Sequence, residues 1–562
     1  MRWRIPAVDP ETVQRLAREA AVPPLVARLL VLRGLSEPAA AERFLNPSLD
    51  QFHDPYCMAD MRAAVERLRA AIARGEKVLI YGDYDVDGIT ATVVLLTALR
   101  ALGARVEPFV PHRMTEGYGM RAWALERAAA EGYRVVLSVD TGVREHEALE
   151  RARELGLDCI ITDHHLPEQR LPPAAAILNP RREDCPYPEK SLSGVGVAFK
   201  LAQALLGERL TDGLLRSYLK IVAIGTIADV VPLVGENRVI ARFGLDGLRR
   251  PAHAGLEALL RVSDIAHRAV TATDVGFRLA PRLNAAGRLE DAKEAVELFT
   301  TRDASRAQEI AERLDRLNRE RQRVEDDILG EILDTRAGKP DLACRHSLLF
   351  SGAGWHRGVI GIVAQRVAER FYRPVLVAGV ENGVAVGSGR SIPGFHLLDA
   401  LTSAHDLFVR YGGHAQAAGF TMPAERLPEL ERRFEEYARR TLSAEDLEPA
   451  LNVDAEISFG EIDDELFRQL ERLEPHGAGN PAPVFAARET RLMAPPRILK
   501  EKHLKLRVGQ AERLLDALAW RRAEAGAELR AGDRLDLAFR LEESTYQGVT
   551  APQLNLRDWR KV

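Results

Sequence analysis

Between residues 76 and 165, short apolar runs alternate with stretches whose apolar positions recur every three or four residues. Val78-Leu79-Ile80-Tyr81, Val106-Glu107-Pro108-Phe109-Val110, Val135-Val136-Leu137-Ser138-Val139 and Cys159-Ile160-Ile161-Thr162 read as strands. Residues 90–102 and 144–155 read as helices between them. Strands spaced in this way predict a parallel sheet covered on both faces. Residues 195–300 are mostly helical in pattern. Ile310, Leu314, Leu317, Val324, Ile328 and Ile332 then recur at helical spacing, which predicts one amphipathic helix over about 304–336, stopped by Gly338-Lys339-Pro340. Such a helix fits a strut between two lobes as well as a helix packed inside one domain.

A second α/β pattern covers about 345–445. It has strands at Ser347-Leu348-Leu349-Phe350 and Val375-Leu376-Val377-Ala378, and a helix over 359–371 opened by Trp355-His356-Arg357-Gly358. From 450 to 562 the apolar positions alternate in short segments such as Leu504-Lys505-Leu506-Arg507-Val508, predicting a small β-barrel or sandwich. Residues 1–50 read as helical and peripheral. No internal repeat is present.

Charge adds one constraint. The 562 residues carry 78 basic and 82 acidic side chains, a net of -4, so a nucleic-acid partner would need a local basic surface. Cys57, Cys159, Cys185 and Cys344 are scattered without a C-x-x-C pair, which argues against a disulfide framework or a zinc knuckle and fits a reducing cytosol. No apolar run approaches the roughly 18 residues needed to cross a membrane. Met-Arg-Trp-Arg-Ile-Pro at the N-terminus has no secretory apolar segment. The expectation is a cytoplasmic, monomeric protein with no membrane partner.

Chemistry concentrates in four clusters. Asp83, Asp85 and Asp87 follow the first strand, Asp140 the third, and Asp163-His164-His165 the fourth; Asp229 lies in the mostly helical stretch. In a parallel sheet, ligands gather beyond the carboxyl ends of the strands. Three carboxylates as close as Asp83, Asp85 and Asp87 repel one another unless a cation neutralises them. Carboxylates with imidazole and no thiol suit two divalent cations, and paired cations suit attack of water on phosphorus. An EF-hand is excluded, because no Glu closes a 12-residue loop.

Asp163-His164-His165 is the signature of the DHH phosphoesterases, and longer runs narrow the resemblance. The stretches 81–91, 225–233, 282–288, 387–391 and 412–419 are similar to those of the RecJ family of single-strand-specific 5′→3′ exonucleases. Pro475-His476-Gly477-Ala478-Gly479-Asn480-Pro481 resembles the start of that family's nucleic-acid-binding β-domain. The resemblance implies an α/β fold: an N-terminal helical segment (1–45), a parallel-sheet DHH catalytic domain (46–300) and a connecting helix (301–338). A smaller α/β DHHA1 domain (339–447) and an OB-like barrel (448–562) would follow.

It further implies two ions, Mn2+ or Mg2+. Asp83, Asp85 and Asp140 would hold one, and Asp87, Asp140, His164 and Asp229 the other, with Asp140 bridging. His165 would stand behind the ligands or face substrate. Arg113, Asn284, Arg288, Ser388, Gly389, Arg390 and His414 would contact the strand, with the 387–391 loop as a nest for the terminal 5′-phosphate. Arg497, Lys500, Lys502, Lys505 and Arg507, opposed nearby only by Glu501, would give the barrel a basic wall, and Trp520 and Tyr546 could stack on bases. The implied partners are single-stranded DNA with a 5′-phosphorylated end, a single-strand-binding protein and a helicase. A phosphodiesterase acting on very short RNAs or cyclic dinucleotides would lack residues 450–562; a family II pyrophosphatase would lack 412–419; an inactive scaffold would have lost metal carboxylates.

Overall fold

The first sheet comprises β1 (Lys77–Tyr81), β2 (Arg105–Phe109), β3 (Tyr133–Val139), β4 (Asp158–Thr162) and β5 (Ala176–Leu178). All neighbours are parallel, in the order β2-β1-β3-β4-β5. This order reverses between β1 and β3, and a crevice opens at such a switch point. The computed structural model describes residues 1–112, 116–117, 119–251, 253–337, 344–546 and 549–562. Arg113, the helix stop at 338–340 and the side chain of Tyr546 lie outside the described residues.

Helix α1 (Val86–Ala101) leaves β1 and is buried almost all round, as its apolar composition requires. It packs against α2 (Gly194–Leu206) and α3 (Asp212–Ala228). Further along, α4 (Ala280–Leu289) continues a short π-helix, Val275–Leu279. Helix α5 (Ala304–Ala337) has 34 residues, about 50 Å of rise. Its first half, through Ala307, Ile310, Ala311 and Leu314, joins the core of the first lobe. Its second half, through Ile328, Leu329 and Ile332, joins a core with Val363 and Val377 of the second lobe. The strut alternative therefore holds.

The second lobe has β6 (Leu348–Ala353), α6 (Ile360–Phe371), β7 (Val375–Glu381), β8 (Val384–Arg390), β9 (Arg410–Gly413) and β10 (Ala417–Pro423). Its sheet order is β9-β10-β8-β7-β6, with only β6–β7 parallel. The C-terminal strands are β11 (Ala455–Glu456), β12 (Phe485–Leu492), β13 (Arg497–Leu499), β14 (His503–Gln510), β15 (Arg513–Ala519), β16 (Arg534–Tyr546) and β17 (Val549–Lys561). The order β11-β12-β16-β17-β15-β14-β13 closes on itself because β12 also pairs with β14. Closure removes the exposed edges of the five central strands.

The first 45 residues differ from the sequence expectation. They are helical (Pro10–Glu19, Pro24–Leu32, Pro38–Leu45) but not peripheral. Leu16, Leu29, Leu30 and Phe44 share a core with Phe459, Phe485, Leu504 and Phe539 of the barrel unit. Arg2–Arg4 pairs in parallel with Ala450–Asn452. Periodicity showed that these helices have an apolar face; it could not show that the face's partner lies more than 400 residues away.

Candidate metal centre and substrate face

β1 ends at Tyr81, and its continuation carries Asp83 and Asp85 into the first turn of α1, where Asp87 sits. Asp85 caps that helix, accepting from the Gly88 amide at 3.0 Å. Gly88 is required here: a Cβ would lie 2.6 Å from the Asp83 carbonyl oxygen. Asp140 follows β3 in a left-handed conformation, φ 59°. A side chain at Gly194 would strike its carboxylate, 2.6 Å from Oδ1. Asp229 ends α3, and His164 follows β4.

These groups converge. His164 Nε2 lies 3.2 Å from Asp140 Oδ1, 3.6 Å from Asp229 Oδ2 and 3.8 Å from Asp87 Oδ2. Ligand-capable atoms of Asp83, Asp85 and Asp140 form one cluster within 4.8 Å, and those of Asp87, His164 and Asp229 form another. Asp140, beside His164, touches both sets. A third group, Asp140, His164 and His165, overlaps the two. His165 Nδ1 is 2.7 Å from Asp163 Oδ1. Asp163 also accepts from the backbone amides of Val143, His164 and His165, so it fixes the histidine pair from behind.

The electrostatics are those of uncompensated like charge. Burial, then Asp85, pushes the Asp87 carboxyl up to about 7, despite amide donation from Gly194 and Val195 at 2.6 and 2.8 Å. Burial and the neighbouring aspartates raise Asp229 to about 9 and Asp140 well above the carboxylate range. Burial lowers His164 to about 4, which leaves a neutral imidazole suited to ligation. Burial would raise Asp163, but the His165 ring and backbone donors outweigh it and hold it low. Burial opposes a charged His165, and Asp163 outweighs that in turn. Asp140 Oδ1 and Asp229 Oδ2 are buried without any hydrogen-bond partner. Orphaned carboxylate oxygens, oxygen-rich donors and one neutral imidazole fit a pair of Mn2+ or Mg2+ ions.

The second lobe corrects one reading. Residues 387–391 are not a free loop, because β8 runs through Arg390 and is paired on both sides, with β7 and β10. Its amides are spent in the ladders, so a backbone nest is ruled out there. Gly387 and Gly389 face the core, where a Cβ would meet the Phe420 ring at 2.0 Å or Leu376 at 2.7 Å. Ser388 and Arg390 face the other way, towards Gly361 at the start of α6. Arg390 Nη1 donates to Ser388 Oγ at 3.0 Å. Arg288, from α4 of the first lobe, donates to the Gly358 carbonyl at 3.1 Å. Arg288, Ser388 and Arg390 therefore meet around one helix N-terminus. Asn284 holds the metal loop, its Oδ1 accepting from the Val86 amide at 3.2 Å. His414 lies exposed at the β9–β10 turn, its Nδ1 accepting from the Gln416 amide.

Comparison with known proteins narrows this arrangement. The DHH family N-terminal domain matches residues 77–226, the DHHA1 domain 345–440 and the RecJ OB domain 453–558. The single-stranded-DNA-specific exonuclease RecJ of Bacillus subtilis is 40% identical over 99% of this chain and 70% of its own length. That of Dickeya dadantii is 37% identical over 95% of both chains. The crystal structure of RecJ in complex with Mn2+ from Thermus thermophilus covers 100% of this chain and 80% of that one, with 33% identity and a TM-score of 0.85. The chain belongs to the RecJ family.

Against this RecJ framework the barrel face is less basic than its sequence suggests. Asp516 on β15 pairs with Lys505 at 2.8 Å and Arg507 at 2.6 Å. Cross-strand partners cannot be read from a local charge run. Trp520 is 53% exposed, with its ring 4.7 Å from that of His503 next to the Lys500–Lys502 turn. Sequence reasoning passed over the Gly194 and Val195 amides, although Ser193-Gly194-Val195-Gly196 carries the signal of a capped, close-packed helix start. It also passed over Arg181, whose guanidinium donates to the His164 carbonyl at 3.4 Å and bears on Asp229.

Proposed function

We propose that this chain is a metal-dependent exonuclease that degrades single-stranded DNA from its 5′ end to 5′-mononucleotides, in DNA repair and recombination. The observation that carries this reading is the pair of carboxylate clusters joined by the Asp140–His164 contact at the switch point of a RecJ-family sheet. RecJ relatives that are single-stranded-DNA-specific exonucleases, and RecJ structures in complex with Mn2+ and with Mg2+, support it.

Asp83, Asp85 and Asp140 would hold one ion, and Asp87, Asp140, His164 and Asp229 the other. Two bound cations would supply charge neutralisation at the scissile phosphate, a water acidic enough to attack it, and support for the departing 3′-oxygen. The chain's own part is preorganisation. Amides of Gly194 and Val195 orient Asp87. Asp163 fixes His165, whose ring remains 43% exposed and can meet substrate oxygen. Arg288, Ser388 and Arg390, at the start of α6, suit a terminal phosphate, since helix N-termini and guanidinium groups both favour anions. That site selects a 5′-phosphorylated end, and His414 and Asn284 contact the strand behind it.

A single-strand-binding protein and a helicase would supply unpaired DNA, and a monomer suffices, since each chain carries the whole site. No described helix is long and apolar enough to cross a membrane; DNA as substrate supports a cytoplasmic location. The test uses end-labelled single-stranded and duplex DNA with Mn2+, Mg2+ or chelator. Stepwise 5′ release from single strands with either metal is expected; chelator-resistant activity, or equal attack on duplex, overturns the reading.

A further inference from the structure

The turn at 475–481 does more than introduce the barrel. It lies against the loop that follows Asp229. The Leu233 amide donates to the Ala478 carbonyl at 2.7 Å. A Cβ at Gly477 would sit 2.6 Å from Leu233 Cδ1, and one at Gly479 would sit 2.9 Å from Pro232 Cβ. These glycines are what allow two backbones to touch.

The turn is rigid on its own side. Gly477 and Asn480 exchange backbone hydrogen bonds at 2.9 and 3.2 Å. Asn480, fully buried, donates through Nδ2 to the carbonyls of Leu473 and Pro475, and its Oδ1 accepts from Arg33 Nε at 2.7 Å. Arg238, on the helix after the Asp229 loop, enters the same junction. It donates to the carbonyls of Phe44, Arg472, Leu473 and Glu474 and stacks over the Phe44 ring at 3.8 Å.

The clamped loop needs holding. Val230, next to Asp229, has φ 62°, a left-handed conformation that a β-branched residue adopts only under constraint, and it is 69% exposed. The Asp229 carboxylate itself has no hydrogen bond at Oδ2 to fix it. By contrast, Asp83 and Asp85 are fixed within their own loop, by the amides of Tyr84 and Gly88.

We propose that the 475–481 turn is a positioning element for Asp229, so that docking of the barrel completes one half of the metal centre and leaves the other half independent. Gly477, Gly479 and Asn480 are its positioning residues. The inference rests on the two-ion reading above. It makes metal uptake at the Asp87–His164–Asp229 set depend on a contact made from another part of the chain.

The experiment titrates Mn2+ calorimetrically into full-length protein without DNA. Asp229→Asn identifies which of two binding events belongs to Asp229. Gly479→Ala places a methyl group against the rigid Pro232 ring. It should weaken that event about tenfold, as removal of groups that orient metal ligands does, and leave the other within about twofold. Asn480→Ala should act in the same direction. Arg488→Ala, which breaks ion pairs to Glu456 and Asp536 inside the barrel, controls for general loosening and should leave both events in place at a comparable fall in melting temperature. Two wild-type events unchanged in Gly479→Ala, or both events weakened equally, overturn the positioning role alone. A wild type that takes up no Mn2+ overturns the function proposed above together with this inference.

Discussion

In the first lobe three buried groups at the sheet edge, Asp87, Asp140 and Asp229, carry like charge; in the second the charged groups are half-buried and already tied to neighbours. Burial raises the carboxyls of Asp87, Asp140 and Asp229, and repulsion from neighbouring aspartates adds to it. Ser388 and Arg390 hold each other, and Arg288 holds a carbonyl across the lobe boundary. Repelling carboxylates store a demand for cations, so losing one member should disable the whole set. Groups that already have partners would have to trade those contacts for a phosphate, so each should contribute a graded share.

The sharpest way to break this contrast is at Asp140. Asp140→Ala removes the residue that belongs to one cluster and touches His164 of the other, and turnover should fall by several orders of magnitude while the fold persists. Alanine at φ 59° costs about 1–2 kcal/mol. Asp140→Asn, which tolerates that conformation better, should therefore be equally inactive and more stable. Nuclease turnover and Mn2+ titration on both variants provide the check. Near wild-type cleavage in Asp140→Ala would falsify the shared-ligand assignment.

On the opposite face, Arg390→Ala should weaken binding of a 5′-phosphorylated strand by about 1.5–3 kcal/mol, one charge-assisted contact, with Mn2+ uptake unchanged. A strand ending in a 5′-hydroxyl should lose much less. Equal losses on the two ends would remove the pocket's role in end selection.

The contrast also separates what the sequence could express from what it could not. Asp83, Asp140 and Asp163 stand directly after apolar runs, so a parallel-sheet rule placed them at one edge before any coordinates did. The periodicity at 304–336 gave α5, because a long helix repeats its own signal. The reading of 387–391 as a loop failed for a physical reason: Gly387 and Gly389 are small because Phe420 and Leu376 crowd them, which looks the same in sequence as a need for flexibility. Asp516 neutralises Lys505 and Arg507 from the next strand, and register fixes that pairing. The burial of residues 1–45 against the barrel and the docking of 475–481 against the Asp229 loop both join distant segments, where local pattern carries no information.

Acid should loosen that second junction. Burial lowers His476 to about 4, and Arg33, Arg238 and Arg540 add to the effect. The ring is neutral in the folded chain and takes up a proton on unfolding, so the stability it contributes is present above about pH 6.5 and is lost as pH falls towards 4. The expected loss is on the order of 3 kcal/mol. Burial shifts His253 in the same way, so the measurement is the difference in melting temperature between wild type and His476→Gln across that window. Parallel curves for the two proteins would show that His476 does not sense pH at the junction.

The smallest effect should come from the barrel's outer face. Deleting residues from 450 onward is a poor probe, because it would strip the partner from Leu16, Leu29 and Phe44. Trp520→Ala is cleaner: the ring is 53% exposed, contacts His503 and lies outside the barrel core. If a long strand runs from the metal centre over this face, one base would stack on Trp520. Its loss should weaken binding by about 1 kcal/mol, the low end for base–aromatic stacking, because the ring is open to solvent on one side. Only strands long enough to reach should notice. Affinity and processivity on 30-mers should fall while cleavage of 5-mers stays at the wild-type rate. Lys502→Ala should act on the same long strands through the salt dependence, lowering its slope by about one phosphate contact. If 5-mers and 30-mers lose equally in Trp520→Ala, this face lies off the DNA path and the barrel acts on catalysis only through its grip on the Asp229 loop.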